Sequence, residues 1–135
     1  MIFSGTSYLA IVVAAVAGFA FGSVWYMALS KQWMAAVGLT EPPKPAPMPF
    51  IAAFVCQLIM AWMLAGLVGH MGEVTVIDSM LTGALVWFGF VLTTMVVNHR
   101  FQSAPWSLTV IDSGHWLGVL LVIGLVIGLF GVQPV

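Results

Sequence analysis

The chain has 135 residues, of which 62% are hydrophobic and only 5% charged, with a mean hydropathy of +1.15. Three cationic and four anionic side chains cannot cover a water-exposed surface, so a soluble globular fold is excluded and a bilayer must be the solvent. A net charge of −1 offers no basic field, which excludes nucleic acid as a partner.

At about 20 residues per crossing, the length accommodates four spans and short connections. The first is predicted over residues 8–29. Met1 to Tyr8 holds no Lys or Arg, so although Ala15-Val16-Ala17 resembles a cleavage site, the run reads as a retained helix rather than a signal peptide. Trp25, Tyr26 and Trp33 fall where an aromatic belt belongs, beside Lys31-Gln32. Ser30 to Leu39 can form two turns on the membrane surface. Thr40 to Pro49 then carries five prolines and is predicted as an extended linker.

The second span is predicted over residues 50–69, followed by the tight turn Met71 to Thr75, where His70 and Glu73 read as a solvated pair. The third is predicted over residues 76–98. Ser103 to Ser107 reverses the chain, with Ser107 as the expected N-cap of the fourth span, residues 108–130. The fold class is therefore all-α, a single integral membrane bundle of four transmembrane helices, built as two hairpins joined by a Pro-rich loop. Lys31, Lys44 and Arg100 all fall in the first and third connections, which by the positive-inside rule places both termini outside.

Apolar surface gives little gain when helices associate in lipid, so close backbone approach must hold the bundle, and small residues four apart mark where it occurs. The first helix carries Ala10, Ala14, Gly18 and Gly22; the second Ala61, Ala65 and Gly69; the fourth the pairs Gly114 with Gly118 and Gly124 with Gly128. So many faces exceed what four helices usually consume. A homo-oligomer or a place in a larger membrane complex is therefore expected, with lipid as the surrounding partner. Cys56 is expected to be a packed, inert thiol, and Gln57 an interhelical hydrogen-bond donor.

An ionisable side chain inside a span is costly and must face a partner or a cavity. Asp112 is the clearest case, with Thr109, His115 and Trp116 at helical spacing beside it and Asn98, His99 and Arg100 across the reversal. Two readings of this cluster compete. In the structural one, Asp112 pairs with Arg100 or accepts from Asn98 and Trp106, locking the hairpin. In the functional one, Asp112, His115 and His99 form a protonatable chain in a transporter or channel. The spacing matches no metal motif, and no phosphate loop, nucleophile elbow or dinucleotide fingerprint is present, so neither metal, cofactor nor enzyme activity is expected.

The run Ala14 to Tyr26, then Lys31-Gln32-Trp33-Met34, Asn98-His99-Arg100-Phe101, Pro105-Trp106, Asp112 and Trp116 together resemble an uncharacterised bacterial family, the domain of unknown function numbered 1761. The resemblance implies a small four-helix protein of the bacterial cytoplasmic membrane and carries no activity with it. A structural or accessory membrane component is the leading expectation, and a proton- or solute-coupled transporter the alternative.

Overall fold

The computed structural model describes residues 3–131. Six α-helices account for nearly all of them, and no strand occurs among the described residues. Four stretches are long and apolar enough to cross a membrane: Tyr8–Ala28, Pro47–Met71, Val76–Phe101 and Trp106–Phe130. The protein is a multi-pass membrane protein.

Helix α1 (Tyr8–Ala28) starts at Ser7, whose hydroxyl accepts from the Ala10 N–H at 3.2 Å. At Leu29 the backbone leaves helical geometry, with φ −106° and ψ 18°, and α2 (Ser30–Val37) follows at once. Gly38 ends α2 at φ 87°, a left-handed cap that a glycine adopts without a Cβ penalty, and its N–H reaches the Met34 carbonyl at 2.9 Å.

Helix α3 (Pro47–Met71) begins earlier than the proline count suggests. Pro47 and Pro49 lie in its first turn, where a helical N–H has no intrahelical acceptor to lose, and Ala46 before them is extended as a pre-proline residue should be. The linker is thus shorter than Thr40 to Pro49. At the other end α3 passes Gly69 and stops at Gly72, with His70 and Glu73 both exposed.

Thr75 caps α4 (Val76–Val86) in two ways. Its Oγ1 accepts from the Asp78 N–H at 3.1 Å, and its hydroxyl donates to Asp78 Oδ2 at 2.6 Å. The carboxylate also sits at the positive end of the helix dipole, so Asp78 has a local structural role. The same rod continues through a π-helical segment, Trp87–Leu92, into α5 (Thr93–Phe101), three residues beyond the predicted end at Asn98. Thr93 and Thr94 return their hydroxyls to the Gly89 and Phe90 carbonyls at 2.9 and 2.5 Å, back-bonding of the kind that accompanies distortion of a helical ladder. The reversal that follows puts Ser103 at φ 56°. Pro105, not Ser107, occupies the N-cap position of α6 (Trp106–Phe130): proline lacks a backbone N–H, the helix needs none from that position, and Ser107 is already helical.

Helix α6 is the central element, packing on every other helix. Its glycines set the distances. A Cβ at Gly124 would lie 2.6 Å from the Ser79 carbonyl oxygen of α4, and a reciprocal Cβ at Gly83 would lie 2.9 Å from the Leu120 carbonyl oxygen. Gly128 meets the Thr75–Val76 backbone, whereas Gly114 and Gly118 lie under the Trp25 and Phe21 rings of α1. Ala10, Ala14, Gly18 and Gly22 are all buried, and Ala61 is completely so. Ala65 is half-buried and Gly69 exposed, because the buried side of α3 runs instead through Gln57, Ala61, Leu64 and Val68. The aliphatic core joins Ile11, Leu64, Val119, Leu120, Ile123 and Ile127. Cys56 is exposed rather than packed, one residue off the buried side of α3.

The seam between α4 and α6 generates a prediction. Gly124→Val should destabilise the protein in detergent by about 1–3 kcal/mol, since backbone rather than a flexible side chain must yield. Leu129→Val, on an exposed position of the same helix, should stay within about 0.5 kcal/mol. Thermal or denaturant unfolding of the two variants side by side measures the difference.

Candidate functional site: a polar clasp and an adjoining cavity

Two neighbouring residues at the end of α1 reach two neighbouring residues of α6. Trp25 donates its indole N–H to the Ile111 carbonyl at 3.1 Å, and Tyr26 donates its hydroxyl to Asp112 Oδ1 at 2.7 Å. From the other side Trp87, at the start of the π-helical segment, donates to the Ser113 carbonyl at 2.7 Å. Aromatic rings supply the contact area and their polar tips find acceptors, as buried Trp and Tyr require. Three successive α6 residues are therefore gripped from both flanks.

Below this grip Thr109, almost fully buried, collects the end of the third span. Arg100 donates through one terminal nitrogen to Thr109 Oγ1 at 2.8 Å and to the Ala104 carbonyl at 2.9 Å, while its guanidinium stacks 3.5 Å from the centre of the Trp106 ring. His99 Nδ1 lies 2.8 Å from the same Thr109 oxygen. Arg100 and His99 thus share the one Thr109 hydroxyl, and the other His99 ring nitrogen, Nε2, points away from it. That nitrogen faces Asp112 Oδ2 at 3.9 Å, close enough for attraction but beyond direct hydrogen-bond reach. The sequence Arg100, Thr109, His99, Asp112, Tyr26 thus ties α5, α6 and α1 together at one level.

The expected pairing of Asp112 with Arg100 does not form. Helical geometry separates them: Arg100 turns back onto the reversal and Trp106, and Asp112 turns toward α1. Asn98 is exposed on the far side of α5 and takes no part in the cluster through its side chain. Trp106 donates nothing to Asp112 and serves as the platform for Arg100. His115 is buried but makes no bond to Asp112. Its ring packs against Tyr26 and Trp116, with centroids 4.8 and 4.6 Å away, and its Nε2 approaches Gly22 of α1. Among the described residues no group of three His, Cys, Asp or Glu side chains is placed to hold a metal.

On the other side of Tyr26 lies a cavity of about 720 Å³ between α1, the first half of α3 and α6. Phe19, Phe50, Trp116 and Met27 form apolar walls, and Gln57, His115, Tyr26, Ser23 and Ser30 contribute polar atoms. Phe19 meets Phe50 edge-on, with centroids 6.3 Å apart. Gln57 is 2% exposed, yet its Oε1 has no hydrogen-bond partner, nor has His115 Nδ1. The expectation that Gln57 bonds across to a neighbouring helix therefore fails. Gly18 leaves room for its carbonyl, 2.7 Å from where a Cβ would stand, and offers no donor side chain in return.

Tyr26 is the residue that sequence reasoning missed. Its place beside Trp25 and Trp33 reads as an aromatic belt, and only the fact that a carboxylate sits seven residues into α6 hinted that a donor was needed nearby. The cavity has no signal in the sequence at all, because its lining comes from four helices, α1, α2, α3 and α6.

The chain matches, over residues 9–128, the family model described as "Protein of unknown function (DUF1761)". The chain belongs to this family. No curated protein and no solved structure matches it. The residues of the clasp, from Tyr26 to Asp112, all lie inside the matched region.

The clasp predicts a specific pattern of coupling. Tyr26→Phe should destabilise the protein by about 1–3 kcal/mol, the cost of leaving a half-buried carboxylate without its donor. A double-mutant cycle of Tyr26→Phe with Asp112→Asn should show an interaction energy of at least about 0.5 kcal/mol, whereas Asp112→Asn with Arg100→Gln should be closer to additive. Unfolding in a fixed detergent checks both.

Proposed function

We propose that the protein is a non-enzymatic accessory component of a bacterial cytoplasmic membrane, joining a second copy of itself or a larger complex through its third span. The observation that carries this reading is the uneven burial of the four spans. Within its most apolar stretch the third has 11% of its residues buried inside the chain, against 28 to 39% in the other three. On its outer side Gly89 has nothing within 4 Å of a Cβ position, and exposed Phe88 and Phe90 flank it. A bare glycine between two aromatic rings, in a π-helical segment, is a shape that another helix can enter closely.

Lys31, Lys44 and Arg100 fall at one end of the bundle, given by the end of α1, the start of α3 and the end of α5. This supports a cytoplasmic placement of that end and both termini outside.

The polar cluster fits a structural role within this reading. Asp112 accepts from Tyr26 and so acts as the acceptor that fixes α1 on α6. The transporter alternative draws less support. His115 is not bonded to Asp112 or His99, and the buried polar side chains further along the interior, Gln57, Ser79 and Thr82, stand among Ile11, Leu64, Val119, Leu120 and Ile123 and hold no ionisable group to continue a relay.

The test uses Gly89→Cys in a Cys56→Ser background, with Leu9→Cys on exposed α1 as the control. In native membranes a short bifunctional maleimide should trap a defined dimer or a stoichiometric heteromer through position 89 and not through position 9. Native mass spectrometry of the gently extracted protein should give the same stoichiometry. A monomer carrying only lipid, with no crosslink at position 89, would overturn the proposal.

A further inference from the structure

The outward side of the third span carries polar groups as well as apolar ones. Thr94, Val97, Asn98 and Phe101 are all exposed, and spacings of three and four place them on one stripe that runs on from Gly89 and Phe90. Asn98 is the residue that lipid cannot match. Its carboxamide has no hydrogen-bond partner among the described residues, although the span that holds it is apolar enough to cross a membrane. Its neighbours His99 and Arg100 turn inward to Thr109, so the amide stands at the level of the clasp but on the outward side. In a membrane such side chains bond to other helices.

The stripe also restricts the partner. Copies of a membrane protein enter the bilayer in one orientation, so a two-fold axis along the membrane normal brings each residue at the contact to its own counterpart at the same depth. A carboxamide suits that condition because it both donates and accepts: the N–H of one Asn98 meets the Oδ1 of the other. Thr94 adds an acceptor one turn away, since its hydrogen goes to the Phe90 carbonyl and its oxygen keeps a lone pair. No like charges are brought together. Between Leu81 and Gln102 the one formal charge is that of Arg100, whose guanidinium is held against Trp106 and the Ala104 carbonyl. Gly89, with open space at its Cβ position, lets two backbones approach further along the same stripe. A different chain would have to present a matching polar group at this one depth, whereas a second copy does so by symmetry.

We propose that the third span takes a second copy of this chain, in a parallel two-fold dimer whose central polar contact is a reciprocal hydrogen-bonded pair of Asn98 carboxamides. This rests on the accessory reading above and names which of its two partners the span holds.

The test uses the full-length protein in native membranes. Thr94→Cys and Phe101→Cys, each in a Cys56→Ser background, bracket an intact Asn98, and Phe50→Cys on α3 at the same end of the bundle is the control. A short bifunctional maleimide should join the first two into a homodimer free of foreign sequence and should leave the control as a monomer. Association is then measured in lipid vesicles by energy transfer between copies labelled at Leu9→Cys. Asn98→Leu should weaken it at least about threefold, the loss expected for an interhelical hydrogen bond in a membrane, and Asn98→Asp, which sets like charges face to face, should weaken it further. Both variants should keep an unfolding temperature near wild type in detergent, since the Asn98 side chain bonds to nothing within the chain. A crosslink to a foreign chain at positions 94 and 101 would overturn the homodimer and leave the accessory reading standing. No crosslink at positions 89, 94 or 101 would overturn both. A homodimer whose association is unchanged by Asn98→Leu would overturn the amide pair.

Discussion

Close backbone approach to α6 is the constraint on which the bundle depends. In lipid the apolar side chains gain little by leaving one hydrocarbon environment for another, so cohesion comes from dispersion between surfaces that fit and from hydrogen bonds within the bundle. Gly124 and Gly83 let α4 and α6 meet backbone to backbone, and Gly114 and Gly118 admit the Trp25 and Phe21 rings of α1. Every other feature follows from where α6 is held. The three grips at Ile111, Asp112 and Ser113 can form only because α1 and the third span already lie close on either side of it.

This arrangement separates two uses of polar residues in one membrane protein. At one level Arg100, Thr109, His99, Asp112 and Tyr26 exchange hydrogen bonds and attraction among themselves, which offsets part of the cost of placing ionisable groups in a span, although Arg100 Nε and Nη1 remain buried without a hydrogen-bond partner. One turn further along α6, His115 lines the cavity with Gln57, and each keeps one buried polar atom, Nδ1 and Oε1, without a partner. Tyr26 stands between the two regions, its hydroxyl committed to Asp112 and its ring packed on His115. A change at the cavity therefore has a short physical route to the clasp.

The number, order and helical character of the spans were legible from composition and hydropathy, because a membrane leaves so few alternatives for an apolar chain of this length. The small residues of α1 and α6 were legible as contact faces, but not their partners. Their number suggested association between chains, whereas the fold places Gly18, Gly22, Gly114, Gly118, Gly124 and Gly128 against the chain's own helices. The element ends were less legible: Pro47 and Pro49 read as linker although the first helical turn accepts them, and the π-helical turn at Trp87–Leu92 has no periodic signature. The candidate site was half legible. Asp112, His99 and Arg100 were drawn together by the hairpin, yet the donor that satisfies Asp112 lies 86 positions away on α1, and such a contact depends on the rotation of two helices that hydropathy does not specify.

The central claim, that α6 is held by backbone contact at its glycines, is tested most directly by magic-angle-spinning NMR of the protein in bilayers, with glycine Cα and serine carbonyl carbons labelled. The account predicts a short-range cross-peak between Gly124 Cα and the Ser79 carbonyl. Absence of that cross-peak, with sequential Ser113–Gly114 cross-peaks present in the same spectrum, would contradict it.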